Sequence, residues 1–594
     1  MAEAGMRNRG NREEYTMDGT ANLKGSPFLR SKGGRWSACF FLIASEFLER
    51  IALYGIVPNL IVYLSDVLHK GTVAAANDVN NWNGTLLMTT LAGGCVADAY
   101  LGRYWAIFCF TVIDLLGMCS LTLSVSLPSL RPKPCISPNE DDCRDQTKGS
   151  QIAFFYCSLY VVAVGAGGRK ANTTSLGADQ FDEFEPKERA QKLSFFNWWS
   201  FAMFSGVLFA CTVLLYIQDN ISWLVGYIIA TSALAFSLLS FMAGTPYYRH
   251  KKPHGSPFTR FAMVLVAATR KWKASTSIPS VELYELDSEQ YLKEWKQRID
   301  HTDSLKFLDR AAVKNGSDGP WRLCPVTQVE EAKRIIKLLP VFFVTLMPSV
   351  TIAHVLTLFI KQATTLDGSL GDHFSIPPAS LISLFTVANL ITIVFYDKLV
   401  VPMLSNKTGN PRGFTLLQKI GIGQAMHIVI MLVAFKTENW RLRAAKSHEL
   451  PSTVFVLLPQ FVLMGVAESF VGVGKLEFFY DQAPEGMKSV GSSLFWVSMG
   501  VGSFLSSILL STVVEVTTRH GGISWIQDSL NESRLDYYYG LLAVLNAINF
   551  FAFLVVAKHF VYNRDVVLEG DEDEETAMLK MALAEGNEAT SPSV

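Results

Sequence analysis

Long apolar runs separated by short polar breaks dominate the chain, and their length sets its class. Runs long enough to cross a bilayer as helices, about 20 residues each, begin near Trp36, Asn81, Tyr104, Gln151, Leu193, Ile221, Arg334, Pro378, Gly413, Thr453, Ser489 and Tyr538. Twelve such runs predict an all-α integral membrane protein. They fall into two sets of six, over residues 36–247 and 334–562, separated by a polar linker at 248–333. The polar leading segment, residues 1–35, carries Arg7, Arg9, Arg12, Lys24, Arg30, Lys32 and Arg35. Positive charge beside a first span predicts a cytosolic N-terminus. An even number of spans then returns the C-terminus to the cytosol. Residues 1–35 lack the apolar core of a cleavable signal, so the first span is expected to act as an uncleaved anchor. The acidic segment 563–594 reads as a solvated cytosolic tail.

Composition sharpens this picture. Of 594 residues, 49% are hydrophobic and 18% charged, where soluble domains average about 25% charged. The 52 Lys and Arg balance 53 Asp and Glu, leaving no basic surplus for a nucleic-acid partner. Nine cysteines over this length do not make a disulfide scaffold. Cys135 and Cys143 share one loop expected outside the cytosol, where a disulfide and two free thiols are equally open. Six spans, a long cytosolic linker and six more form the layout of a major-facilitator fold built from two six-helix halves.

Some charges fall where a membrane should exclude them. Glu46, Glu49 and Arg50 lie roughly 15–21 Å into the first run at 1.5 Å per residue. Each would cost about 2.5–3.5 kcal/mol against lipid. At about 100° per residue, Arg50 sits about 40° from Glu46 and Glu49 about 60° the other way, so all three share one face. Lys170 in the fourth run and Glu468 in the tenth lie at similar depth and could meet across the halves. Among these five, three carboxylates face two cations, and a surplus carboxylate in a low-dielectric cavity tends to hold a proton. A substrate anion competing for Arg50 or Lys170 would change that tendency, which is the minimum a proton symporter requires. Asp114 in the third run and Lys475 in the tenth are further charges within spans. Lys475 is expected either to line the cavity as a second anion contact or to pair with Glu477 or Asp481.

These residues carry a resemblance. Glu46-x-x-Glu49-Arg50 followed by Tyr54-Gly55 resembles the first-span signature of the proton-dependent oligopeptide transporter superfamily, nearest its plant nitrate/peptide transporter family. Gly93-Gly94-x-x-Ala97-Asp98-x-x-x-Gly102-Arg103-Tyr104, Lys170-Ala171-Asn172 with Gly177-Ala178-Asp179-Gln180-Phe181, and Phe196-Asn197-Trp198-Trp199 follow in family order. Gly465-x-x-Glu468 with Glu477-Phe478-Phe479-Tyr480-Asp481-Gln482 completes the set. The resemblance implies a major-facilitator fold with alternating access, driven by the proton gradient with no cofactor. It further implies proton coupling by Glu46, Glu49 and Arg50, a gating motif of Asp98, Gly102 and Arg103, and a Lys170–Glu468 salt bridge that binds substrate or breaks as the cavity opens. Tyr54, Ile352 and His354 are its remaining candidate substrate contacts. Ile352 stands where the family's nitrate-binding pattern carries a histidine. His354 lies two residues on, about 200° around the helix. Leu53 and Phe204 are further departures from the family pattern.

The function expected is symport of small, anionic solutes such as nitrate, peptides or hormone-like organic acids. A transport-deficient sensor of the same fold is the alternative, and no metal-ligand pair, phosphate loop or nucleophile elbow points to an enzyme. Expected partners are the solute, protons and membrane lipid, with no nucleic acid and a functional monomer. The plasma membrane is the expected location and the vacuolar membrane the alternative.

Overall fold

A computed structural model describes residues 15–16, 20–132, 148–182, 185–251, 255, 257–272, 283–286, 298–314, 319–371, 374–410, 412–447, 453–484, 487–519 and 522–562. Cys135, Cys143 and the tail 563–594 lie outside the described residues. Among the described residues, ten helices are long and apolar enough to cross a membrane. The long helices of the first set are α1 (Arg35–Tyr54), α2 (Thr72–Val96), α3 (Arg103–Ser126), α4 (Gly149–Ala178), α5 (Pro186–Phe209) and α6 (Trp223–Ala243). Those of the second are α7 (Val326–Val344, continued by Leu346–Ala353 and Leu358–Ala363), α8 (Ile382–Phe395), α9 (Leu416–Lys446), α10 (Leu458–Gln482), α11 (Lys488–Thr518) and α12 (Leu535–His559). Helices α1 and α2 are the two outside the ten. Their composition explains this: α1 holds Glu46, Glu49 and Arg50, and α2 holds Asn77, Asp78, Asn80, Asn81 and Asn83.

Packing repeats between the sets. In the first, α3 and α2 pack on α4, α1 packs on α5 and α6, and α3 packs on α6. In the second, α9 and α8 pack on α10, α7 packs on α11 and α12, and α9 packs on α12. The sets meet where α2 lies along α11 and α5 touches α8. Outward faces are apolar, with Ile548, Phe551 and Val555 of α12 at least 60% exposed. Such a stripe suits lipid, in which a helix satisfies its own backbone.

Helix starts follow the apolar pattern except where polar residues have partners within the bundle. The pattern places the second run at Asn81, but α2 begins at Thr72. Its asparagines form a ladder with α11: Asn77 donates to Ser511 (2.8 Å), Asn80 to Ser506 (3.2 Å) and Asn83 to Ser503 (3.1 Å). Likewise α7 begins at Val326, within what reads as linker. There the Lys333 Nζ, fully buried, lies 2.7 Å from both Asp309 and Glu330, and Arg260 reaches Glu331 at 2.7 Å. Described linker residues therefore dock on the bundle, including the helix Pro257–Arg270, which packs on α7. Near the start of α1, Arg30 pairs with Asp182 (2.7 Å), and Arg35 and Arg249 both pair with Glu188 (2.8 and 2.7 Å). Burial would push the Glu188 carboxyl up. The bonds from Arg249 and the Asp182 N–H, with the charges of Arg249 and Arg35, outweigh burial and hold it below its ordinary value.

Close helix crossings depend on glycine. A Cβ on Gly93 of α2 would lie 2.3 Å from the Gly168 carbonyl oxygen of α4, whereas one on Gly94 would meet nothing nearer than 3.6 Å. Overpacking of this kind costs about 1–3 kcal/mol. Gly93→Val is therefore expected to lower the melting temperature and the monodisperse yield in detergent, while Gly94→Ala leaves both near wild type. Thermal unfolding with size-exclusion chromatography checks this.

Candidate functional site

Between the two sets lies a cavity of about 260 Å³. Arg50 and Tyr54 of α1, Lys170 of α4, Ile352 of α7, Glu468 of α10 and Trp496 of α11 line it. Five of these six are sequence-predicted site residues brought to one place, and Trp496 is not among those predictions. Leu53 and Phe204 also line the cavity, so both departures present apolar surface to it. A mostly apolar wall with a few convergent polar groups is the usual form of a small-solute site.

One wall is a buried ion cluster. Arg50 donates to Glu46 Oε1 from Nε (2.9 Å) and from Nη2 (2.5 Å), and its Nε lies 3.4 Å from Glu49 Oε2. All three residues are 4% exposed or less. Arg169 of α4 stands behind them, 3.9 Å from Glu46. It donates to Ser45 Oγ (3.0 Å), the Ser45 carbonyl (3.3 Å) and Ser237 Oγ (3.1 Å). Sequence reasoning passed over Arg169, although its signal was the same mid-span charge that singled out its neighbour. Adjacent helical residues point about 100° apart, so Lys170 reaches the cavity while Arg169 turns into the first set.

The Lys170 Nζ lies 3.9 Å from the centre of the Trp496 ring, a cation–π contact across the cavity. Lys170 and Glu468 therefore share the cavity, and in this conformation the lysine rests on the ring and not on the carboxylate. Lys475 occupies neither expected position. It is buried, donates to Ser349 Oγ of α7 at 2.9 Å and lies 5.3 Å from the Phe495 ring. The two acids once expected to hold it are taken by other cations: Lys419 pairs with Glu477 (3.0 Å) and Arg412 with Asp481. His354 is also not a cavity residue. It is fully buried between α7 and α12, with Nε2 3.4 Å from the Tyr538 hydroxyl. The charge count changes accordingly. Asp114 adds a fourth carboxylate to Glu46, Glu49 and Glu468, and Arg169 and Lys475 raise the cations from two to four.

The remaining predicted residues lie at the junction of α2 and α3. Gly102 has φ of 75°, in the left-handed region that only glycine enters freely. That turn aims Arg103 at Asp179, the residue that caps the C-terminal end of α4, where Lys251 also reaches at 3.4 Å. Asp98 lies within electrostatic reach of Arg103 and Asp179. The second set repeats this device with Arg412 and Asp481, ahead of α9 and on the last turn of α10. Sequence reasoning missed the repeat because Arg412 lacks the flanking motif.

Comparison with known proteins agrees with this arrangement. Residues 104–526 match PTR2, the POT family. Over 562 residues the chain is 50% identical to Protein NRT1/PTR FAMILY 5.3 and to Protein NRT1/PTR FAMILY 5.2 of Arabidopsis thaliana, covering 93% of this chain and 96% of each relative. The fold is similar to the crystal structure of an auto-inhibited POT family peptide transporter, with a TM-score of 0.66 at 19% identity, covering 89% of this chain and 98% of that one. With a family match over most of its length and half its residues shared with plant relatives, the chain belongs to the POT family of multi-pass membrane transporters, in the plant NRT1/PTR group.

Proposed function

We propose that this transporter is a proton-coupled symporter of small anionic solutes, with bulky organic acids favoured over nitrate and peptides. In this reading α1 and α2 join the ten apolar helices in a twelve-span topology with both termini cytosolic. The protein acts as a monomer at the plasma membrane, drawing on the proton gradient and no cofactor. The vacuolar membrane is the alternative location.

The observation that carries the reading is that Arg50 faces two ways. It is bonded to Glu46, lies beside Glu49, and lines the cavity that Lys170 shares. An anion entering the cavity competes with the two carboxylates for Arg50, and a carboxylate that loses its counter-charge binds a proton more readily. Solute and proton affinities are then linked reciprocally. Lys170 supplies the second positive contact, leaving the Trp496 ring for the solute or for Glu468. Ile352, Leu53 and Phe204 favour a solute with apolar surface.

Uptake of nitrate, a dipeptide and a gibberellin-type acid, compared at acidic and neutral external pH in an expression host, tests this. One solute is expected to accumulate at acidic pH. Glu49→Gln should remove the pH dependence, and Lys170→Ala should reduce uptake about tenfold or more, as loss of a charge-assisted contact implies. Uptake that is independent of pH in the wild type overturns the coupling. A second comparison addresses the ring. Trp496→Leu is expected to raise the half-saturating concentration by roughly 3- to 30-fold, because Lys170 then collapses onto Glu468, and Trp496→Phe by less. Concentration-dependent uptake by the two variants checks the order.

A further inference from the structure

One polar side chain of the cavity has no part in the mechanism above. Asn389 of α8 lines the cavity together with Arg50, Lys170 and Glu468, and is 8% exposed. Among the described residues its Oδ1 is buried without a hydrogen-bond partner. Apart from Tyr54, already a candidate contact, the other amide and hydroxyl groups of the lining are bonded within the protein. Asn83 donates to Ser503 Oγ (3.1 Å), Ser503 to the Met499 carbonyl (3.2 Å) and Thr386 to the Ile382 carbonyl (3.1 Å).

Helix α8 aims Asn389 at the cavity. Ile382, Phe385, Thr386 and Asn389 all line it, the spacing of a single helix face. Ile391 and Val394, on the other side, are at least 60% exposed. The crossing with α10 is close: a Cβ on Gly465 would lie 2.3 Å from the Phe385 carbonyl oxygen and 3.1 Å from the Asn389 backbone nitrogen. Gly465 precedes Glu468 on α10, so the contact sets the Asn389 backbone beside the turn that carries Glu468. Packing alone does not call for an amide here. Leucine has a similar size and would fill the position with no polar group to satisfy, whereas burying an amide without a hydrogen bond is costly.

The cavity therefore carries polar groups on both helix sets. Arg50 and Lys170 belong to the first and Asn389 to the second, with Leu53, Phe204, Ile352 and Phe385 as apolar lining. We propose that Asn389 is a solute contact that selects for a hydroxyl group: an organic acid sets its carboxylate on Arg50 and Lys170 and a hydroxyl on the Asn389 amide. Rotation of the amide about its last torsion, which is broad and soft, brings either Oδ1 or Nδ2 to the solute. A hydroxyl donates to the first or accepts from the second. A solute ammonium is drawn to Glu468 instead, so the neutral amide serves a neutral polar group. The unmet bond of Asn389 is made only when such a solute binds, and an analogue without the hydroxyl leaves it unmet. The role of Asn389 rests on the anionic-solute reading of the cavity.

Equilibrium binding to the full-length protein in lipid nanodiscs tests this with two probes, a gibberellin-type acid bearing one ring hydroxyl and its analogue lacking that hydroxyl. The wild type is expected to bind the hydroxylated acid roughly 5- to 100-fold more tightly, as an amide left unpaired implies. Asn389→Leu should weaken binding of the hydroxylated acid by that factor and leave the analogue unchanged, so that the preference disappears. The melting temperature of the solute-free Asn389→Leu protein should equal or exceed that of the wild type, because an unmet amide has been removed. A purely structural role for the amide would instead lower the melting temperature and weaken both acids alike. That result overturns the proposal, as does a wild type that does not distinguish the two acids or a preference that survives in Asn389→Leu. Wild-type uptake at two external pH values is scored separately, so failure of coupled transport is distinguished from failure of the hydroxyl contact.

Discussion

Enclosing Arg50 between Glu46 and Glu49 is the constraint on which the first helix set depends. A helix with three mid-span charges cannot turn that face to lipid, so α1 must be wrapped by other helices. Enclosure demands close approach, and the sequence answers with small residues at the contacts. A Cβ on Gly206 of α5 would lie 2.6 Å from the Phe47 carbonyl oxygen and 2.8 Å from the Arg50 Cβ. Ser45 and Ser237 fill the space behind with short hydroxyls, which bond each other at 2.9 Å and accept from Arg169. Burial of the ions thus fixes where α4, α5 and α6 can lie, and Arg50 reaches the cavity at the edge of that enclosure.

The sequence makes the charged chemistry legible and hides its partners. Glu46, Glu49, Arg50, Lys170 and Glu468 stand out because a mid-span charge is costly wherever it points, so its presence alone signals an enclosed site. Direction is harder to read. Lys475 lies about two helical turns from Glu468, a spacing compatible with the cavity, yet it turns to Ser349, and His354, about 200° from Ile352, turns to Tyr538. Each partner is a neutral hydroxyl on another helix, with no pattern in its own segment to announce it. Trp496 is hidden for the same reason, being one aromatic in an apolar run until α11 crosses opposite Lys170.

Boundaries show a related limit. Polarity at the start of α2 and of α7 resembles loop, because hydropathy cannot distinguish a side chain that meets water from one that meets another helix. Asn77, Asn80 and Asn83 satisfy their amides on the serines of α11, and Lys333 satisfies its ammonium on the linker carboxylates. In both places polar residues are met by partners within the protein, on α11 for the asparagines and on Asp309 and Glu330 for Lys333. Only the tertiary arrangement supplies that information.

The placement of charged and neutral bonds suits a molecule whose halves move relative to each other. Arg103 with Asp179 and Arg412 with Asp481 each tie helices within one set. The α2–α11 ladder that joins the sets is made of amide–hydroxyl pairs. A neutral hydrogen bond contributes about 0.5–1.5 kcal/mol net, because water replaces either partner readily. Parting a buried pair within one set, such as Arg50 with Glu46 or Arg441 with Glu438, costs more, since it leaves an uncompensated charge. Motion along the ladder is therefore the less expensive deformation: among the described residues the buried pairs stay within their own set, and the pair that crosses the sets, Lys361 with Asp66 at 3.7 Å, has its carboxylate more than half exposed to water. The bottom of the ladder, Asn83 with Ser503, lines the same cavity as Arg50 and Lys170. A solute held there touches both the charge cluster and the seam, so occupancy of the cavity and separation of the halves act on shared residues.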